Sequence, residues 1–487
     1  MGFRRLSKNI IHHSSASFMM PCWHEGQLIG IAILANTLKL FFPVLSIALI
    51  SIGSAHASPP SFSHGHLGKI GHIIVIYLEN HSFDNLYGMF PGADGIAQAK
   101  PENMLQVDAN GKAYSKLPRV KDSRLKAPAF DARFPDDLPN KPFLIDQFVP
   151  EDEKIGDLVH QFKQHQLQIN DGAMNRFAEV SNAGGLVMGY YDGEKLPLWQ
   201  YAKRYTLADH FFQAAFGGSF LNHLWLACAC TPRYDTAPEA LKAVVNANGE
   251  PVKDPTMTQD GFVVNKMYPA QGPKPENHDN ILLPPLDEPT LGDRLSEKGV
   301  DWAWYAGGWN DAVAGHADPL FQFHHQPYTY FRRYSTDSTE RTQHLKDLKD
   351  LLTGIDNGEL PPVVFYKPIG SLNEHPGYAD VLHSENHIVE LLGKLERSKL
   401  WKDSVIIVTY DEYGGFWDHV PPPKFDRWGP GSRIPTLIVS PFARRAYVDH
   451  TVYDTTSILK LIEQRFGLRP LGERDARANS LENSLKL

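Results

Sequence analysis

The sequence predicts an α/β fold, a mainly parallel central sheet flanked by helices with loop and small β insertions. Three observations carry that prediction. The runs His72-Ile-Ile-Val-Ile-Tyr-Leu78 and Val405-Ile-Ile-Val-Thr-Tyr410 are continuously apolar, as suits strands buried on both faces. Strand-like and helical segments alternate through the second half of the chain, the order that builds a parallel sheet. A hydrophobic content of 42% over 487 residues supplies a large core and excludes disorder for the bulk of the chain.

Residues 1–57 read as a signal peptide or leader. Arg4, Arg5, Lys8 and Lys39 precede the apolar stretch Leu40 to Gly53, and Ala55-His-Ala57 offers a small-x-small cleavage site, so a secreted or periplasmic protein is expected. Lys39 and Pro43 interrupt the apolar segment that begins at Leu28, which favours cleavage over an uncleaved anchor and leaves no stable membrane span. Residues 58–487 are expected to form one domain with two insertions, at about 94–150 and 232–290, both rich in Pro, Asn and Asp.

Between the insertions, helical spacing runs from Asp157 to Arg176, and Leu198 to Tyr205 is a helix opened by Pro197. Thr206 to Phe212 is a strand, Gly217-Gly218 a turn and Leu221 to Ala229 a helix. Gly261 to Asn265 reads as a small strand inside the second insertion. Regular order follows: helix Leu291 to Lys298, strand Trp302 to Tyr305, helix His344 to Thr353, strand Val363 to Tyr366, helix His387 to Leu395, strands Val405 to Tyr410 and Arg433 to Ser440, and helix Ser457 to Phe466.

Losing the leader removes four basic residues and one acidic one, which moves the formal charge from −8 to −11. Such a surface repels nucleic acid backbones and anionic membranes, so no nucleic-acid partner is expected. Only Cys228 and Cys230 remain; an i,i+2 pair is badly placed for an ordinary disulfide, and both read as small buried apolar residues. Nothing in the sequence fixes an oligomeric state.

Each of the two long apolar runs ends in a doublet of oxygen donors, Glu79-Asn80 and Asp411-Glu412. Parallel sheets present ligands at strand carboxyl ends. Three carboxylates and an amide oxygen from neighbouring strand ends would make a hard cage for one divalent cation, whose identity the ligand types leave open. Either doublet alone also suits a helix cap or a solvated turn; two together favour the metal.

Ser219, in Phe216-Gly-Gly-Ser-Phe-Leu-Asn222, is the candidate nucleophile, since coordination to a cation would make its alkoxide available near neutral pH. Asn222, one helical turn on, could donate to a developing oxyanion. In isolation Ser219 is also a good helix N-cap. A lipase-type elbow is disfavoured because the second glycine is missing. His160, His324, His325 and His375 lie in turn-like segments; each alone suits a structural role, yet together they could bind phosphate oxygens and protonate a leaving group. Asp418-His419, after Gly414-Gly415, could orient the loop behind the ligands.

Glu79-Asn-His-Ser-Phe-Asp84, Gly217-Gly-Ser-Phe-Leu-Asn222 and Tyr410-Asp-Glu-Tyr-Gly-Gly-Phe-Trp-Asp-His-Val-Pro-Pro422 resemble the signatures of the bacterial phosphoesterase family that joins periplasmic acid phosphatases with phosphatidylcholine-preferring phospholipases C. The resemblance runs in order from about residue 70 to 468 and implies an alkaline-phosphatase-like sheet. It implies one metal held by Glu79, Asn80, Asp411 and Glu412, a nucleophile at Ser219 with Asn222 beside it, and phosphate surrounded by His160, His324, His325 and His375. Phospholipase members usually show Gly-Pro-Thr and Pro-Asn-Arg around the nucleophile and carry C-terminal β-domains; Gly217-Gly218-Ser219, Leu221-Asn222-His223 and the short tail after Leu468 resemble the acid phosphatase branch instead.

The expected activity is therefore metal-dependent hydrolysis of phosphomonoesters at acid pH through a phosphoserine, with His375 or His160 protonating the leaving alcohol. The substrate would be a phosphorylated small molecule or lipid headgroup. A phospholipase C-type phosphodiesterase using the same residues is the near alternative, and a non-catalytic secreted binding protein on this fold the distant one.

Overall fold

The computed structural model describes residues 65–125, 129–246 and 254–487, so the leader expected over 1–57 lies outside the described residues. Eight strands form the central sheet: β1 His72–Leu78, β2 Thr206–Ala208, β3 Trp302–Ala306, β4 Leu345–Asp347, β5 Val363–Lys367, β6 Ser404–Tyr410, β7 Thr436–Val439 and β8 Tyr447–Asp449. Their spatial order is β4-β3-β5-β1-β6-β7-β2-β8. Only β7 runs antiparallel to its neighbours. The α/β class and mainly parallel sheet expected from the sequence are what the chain adopts.

Burial explains the apolar runs. Every residue of β6 and all but His72 of β1 is buried, because these central strands are covered on both faces. The covering helices include α1 Phe162–Ile169, α2 Pro197–Arg204, α3 Ser219–Cys228, α4 Leu291–Glu297, α5 Leu348–Asn357, α6 Val381–Arg397 and α7 Thr456–Phe466. Asp380 caps α6 through His383 N, and Thr290 caps α4 through Asp293 N.

Several boundaries differ from expectation, each for a physical reason. The helix expected over Asp157 to Arg176 is confined to α1: Asp254, from the second insertion, accepts from Lys163 N and Gln164 N and fixes its start, while Asp157 to Gln161 stay outside it. The strand expected over Thr206 to Phe212 breaks at Asp209-His210; Phe211–Phe212 leaves the central sheet to pair with Tyr453–Asp454. Gly261 to Asn265 is no strand but makes single bridges, Phe262 with Arg233 and Val263 with Met257. The helix expected over His344 to Thr353 is split by β4, whose Leu345–Asp347 pairs with Trp304 to Ala306, and Asp347 then caps α5. Cys228 and Cys230 form a disulfide, contrary to expectation: Ala229 ends α3 in the left-handed region (φ 50°), which curls the chain and brings the two Cα atoms to 5.1 Å.

Candidate active site

Register builds the site. β1 and β6 are parallel neighbours with Leu78 opposite Tyr410, so Glu79-Asn80 and Asp411-Glu412 leave the sheet side by side, and Asp411 N donates to Leu78 O at 3.1 Å. Asn80 takes a positive φ of 52°, uncommon for a residue other than glycine and a conformation that asparagine tolerates best. Gly414 allows it: at φ 65°, a Cβ there would lie 2.0 Å from Asn80 O.

The Gly217-Gly218 turn delivers Ser219 to the same point. Gly217 has a φ of 86°, and a Cβ on it would sit 2.6 Å from Phe162 N. Gly218 is the N-cap of α3, so Ser219 is the first helical residue and its hydroxyl is not spent on capping. Ser219 Oγ lies 3.3 Å from Glu79 Oε2, 3.3 Å from Glu412 Oε1 and 3.5 Å from Asn80 Nδ2, which donates to Glu412 Oε1 at 2.5 Å.

All four expected histidines converge here. His325 Nε2 is 2.6 Å from Glu79 Oε1, His160 Nε2 is 3.4 Å from Glu412 Oε1, and His375 Nε2 is 3.8 Å from Glu79 Oε2. The Nδ1 atoms of His160 and His375 donate to the carbonyls of Leu158 and Pro376, which turns each Nε2 inward. His324 lines the cavity with His160, His375, Ser219 and Glu79; its volume is about 330 Å³. Asn222 is placed differently from expectation. Its Oδ1 accepts from Ala215 N and its Nδ2 donates to the carbonyls of Ala215, Gly217 and Gly218, so the amide holds the turn beneath Ser219 rather than facing the cavity.

Two residues that sequence reasoning missed complete the charge pattern. Lys367, the last residue of β5, is fully buried with Nζ 2.7 Å from Glu79 Oε1 and 3.8 Å from Asp411 Oδ2, and it donates to Leu78 O at 3.1 Å. His223 donates from Nδ1 to Ser219 O at 2.7 Å and stacks on His325. The signal for Lys367 was its place at the carboxyl end of an apolar strand, the same rule that marks the doublets.

Burial alone would raise Glu79, but Lys367, His325 and His375 more than offset it and hold the carboxyl well below its usual range. Burial, then the charge of Glu79, pushes Asp411 well up; burial, then Asp411, does the same to Glu412. Burial lowers His160, lowers His324 well below the imidazole range, and takes His325 to about 4.

The donor set fits a cation. Asn80 Oδ1 and Asp411 Oδ2 are buried without a hydrogen-bond partner, and a cation would supply the charge that lets the crowded Asp411 and Glu412 carboxyls ionise beside Glu79. A second grouping of donors, Glu79, His223 and His325, overlaps it, with one ligand atom from each lying within 4.8 Å of the others. Metal binding is the reading both sets share.

Behind Asp411 and Glu412, Asp418 and His419 anchor the loop. Arg433, fully buried, donates from Nε to Asp418 Oδ1 at 2.9 Å and from Nη2 to Asp84 Oδ1 at 3.0 Å, and His419 Nδ1 donates to Asp84 Oδ2 at 2.6 Å.

The family model described as the Phosphoesterase family matches residues 70–469. The chain belongs to that family. Its relatives include phospholipase C A of Mycobacterium tuberculosis, 25% identical over 83% of this chain and 74% of the relative. Non-hemolytic phospholipase C of Pseudomonas aeruginosa is 21% identical over 86% of this chain, which spans only 57% of that protein's length. Among solved structures, a Vibrio parahaemolyticus protein of the alkaline phosphatase superfamily matches with a TM-score of 0.34 at 12% identity over 62% of this chain and 67% of its own. Murine ectonucleotide pyrophosphatase/phosphodiesterase 5 matches with a TM-score of 0.35 at 11% identity over 60% and 95%. The family member described here is a phosphoric ester hydrolase.

Proposed function

We propose that the chain hydrolyses phosphomonoesters, with Ser219 as nucleophile and a phosphoserine as intermediate. The observation that carries this is the meeting of Ser219 Oγ with Glu79 and Glu412 at 3.3 Å, at the start of a helix and on the wall of a histidine-lined cavity. Glu79, Asn80, Asp411 and Glu412 would hold one divalent cation, which when bound supplies positive charge that stabilises the ionised serine and phosphoryl oxygens.

The remaining work falls to the chain. Asn222 and Gly217 fix the turn so that Ser219 Oγ faces phosphorus in line. The first-turn amides of α3, at its positive end, and the imidazoles of His324 and His160 surround the phosphoryl oxygens. The proton for the leaving alcohol is assigned to His375 Nε2, which lies 3.8 Å from Glu79 Oε2 on a ring held by Pro376 O and stacked on Tyr378. Water attacking the phosphoserine gives up its proton to the same nitrogen. Secretion or periplasmic location accords with the leader-like sequence and with the Cys228–Cys230 disulfide. Among the described residues no helix is long and apolar enough to cross a membrane.

Diester cleavage is the second reading, favoured by the phospholipase C names of the relatives. Turnover of para-nitrophenyl phosphate against para-nitrophenylphosphorylcholine separates the two, and faster diester cleavage would replace the monoester assignment. Ser219→Ala should lose about 10³-fold or more in kcat, the scale of removing an activated nucleophile; retention of about a tenth would exclude Ser219 from that role.

A further inference from the structure

We propose a second metal site, for one zinc-class divalent ion, at the sheet edge between Asp209, His210 and His450. Strand register creates it. β2 and β8 are parallel neighbours with Ala208 opposite Asp449, so Asp209 and His450 emerge next to each other, and Asp209 N donates to Asp449 O at 3.2 Å. His210 Nδ1 lies 2.9 Å from Asp209 Oδ1, and His450 Nδ1 lies 2.8 Å from Asp209 Oδ2. One ligand atom from each of the three residues lies within 4.8 Å of the other two.

Two imidazoles and a carboxylate are a borderline donor set, suited to zinc-class ions rather than to magnesium or calcium, which take oxygen. The surroundings orient these ligands. The Asp209 carboxylate is fully buried and accepts from Asp94 N at 2.8 Å. Asp94 Oδ2 lies 3.3 Å from His210 Nε2, the nitrogen away from Asp209, an arrangement that fixes the ring and frees Nδ1 for a metal. The other Asp94 oxygen lies 3.2 Å from His419 Nε2. His450 is 61% exposed in its side chain, which leaves an entry path and room for a water as fourth ligand. Asp209, His210 and His450 lie outside the candidate active site; His419, through Asp94, and Arg433 Nη1, which donates to the carbonyls of Asp94 and Asp209, link them to its supporting network. An ion here would fasten the edge strand β8 and the start of the first insertion to β2.

The test uses the full chain, stripped of metal and titrated with Zn²⁺ by calorimetry and equilibrium dialysis. Wild type should bind one equivalent more than the double variant His210→Ala/His450→Ala, and Glu412→Gln should keep that equivalent. Asp94→Asn should weaken it about tenfold. Equal stoichiometry in wild type and the double variant overturns the site. A readout on unaltered protein guards against misfolded variants: Zn²⁺ should protect His450 from diethyl pyrocarbonate, read by peptide mass, and identical labelling with and without Zn²⁺ likewise overturns it.

Discussion

Replacing Lys367 with Met removes a fully buried cation 2.7 Å from Glu79 Oε1 and 3.8 Å from Asp411 Oδ2 while keeping most of the side chain's length and apolar stem. At an effective dielectric constant of about 20, opposite charges about 4 Å apart attract by about 4 kcal/mol. Desolvation of the ammonium takes back part of this, so removing one partner of the buried group should cost about 3–5 kcal/mol. With an unfolding entropy of about 2.1 cal/mol/K per residue over roughly 400 residues, metal-free Lys367→Met should melt about 4–6 °C below wild type. The carboxylates left behind lack a counter-charge, so a divalent cation should raise the melting temperature of the variant more than that of wild type. Calorimetry of both proteins with chelator and with Mg²⁺, Mn²⁺ or Zn²⁺ gives the comparison. A metal-free change below about 1 °C would refute the ion pairing. Equal metal-induced rises in the two proteins would refute the inference that Lys367 and a cation neutralise the same carboxylates.

Gly414→Ala puts a Cβ 2.0 Å from Asn80 O at a φ of 65°, so Asn80 must move. A displacement of about 1 Å at the ligands should lower kcat/KM about 10²-fold with the fold retained by circular dichroism, and an active Gly414→Ala would show that Asn80 does not need this position. For His419, burial would lower the pKa, but Asp84 outweighs it and raises it above 6.5. Its stabilising charge is therefore fully present below pH 6.5 and fades as pH climbs past the raised folded value. The stability gap between wild type and His419→Gln, measured by urea unfolding, should be widest at mildly acidic pH and narrow toward alkaline pH; a gap independent of pH would contradict the pairing. Burial pushes the Glu385 carboxyl from 4.5 to about 8, so the folded protein keeps a proton that the unfolded chain releases, and stability falls as pH rises through that window. Glu385→Gln should flatten this slope, since Leu198 N still finds an oxygen acceptor in place of Glu385 Oε2; an unchanged slope would place the titration elsewhere.

The features legible in the sequence are those in which chain neighbours suffice. β1 and β6 are buried on both faces, so their apolar runs end abruptly where the backbone leaves the core, and the residues just past those ends had to lie along one sheet edge. Glu79-Asn80 and Asp411-Glu412 could therefore be paired without knowing the fold. Orientation within a local element was not legible in the same way. Asn222 sits where spacing puts it, one turn beyond Ser219, yet its amide turns back to three carbonyls of the preceding loop. The disulfide depended on the backbone of Ala229, an ordinary residue in a left-handed conformation that composition does not announce.

Lys367 shows where the strand-end rule stopped short. A charged residue after an apolar run usually marks exit to solvent, and Val363 to Tyr366 carries no doublet to suggest a ligand. Its burial follows only from sheet order: β5 lies directly beside β1, on the side opposite β6, so its carboxyl end faces Glu79 across the strand boundary. An ammonium there is enclosed by the sheet and must find anions, and those it meets are Glu79 and Asp411, carboxylates that the doublets supply. The three strand ends are thus one electrostatic unit. The two doublets could be read one by one, but the cation between the strands could not, because its partners are set by the order of the strands and not by its place in the chain.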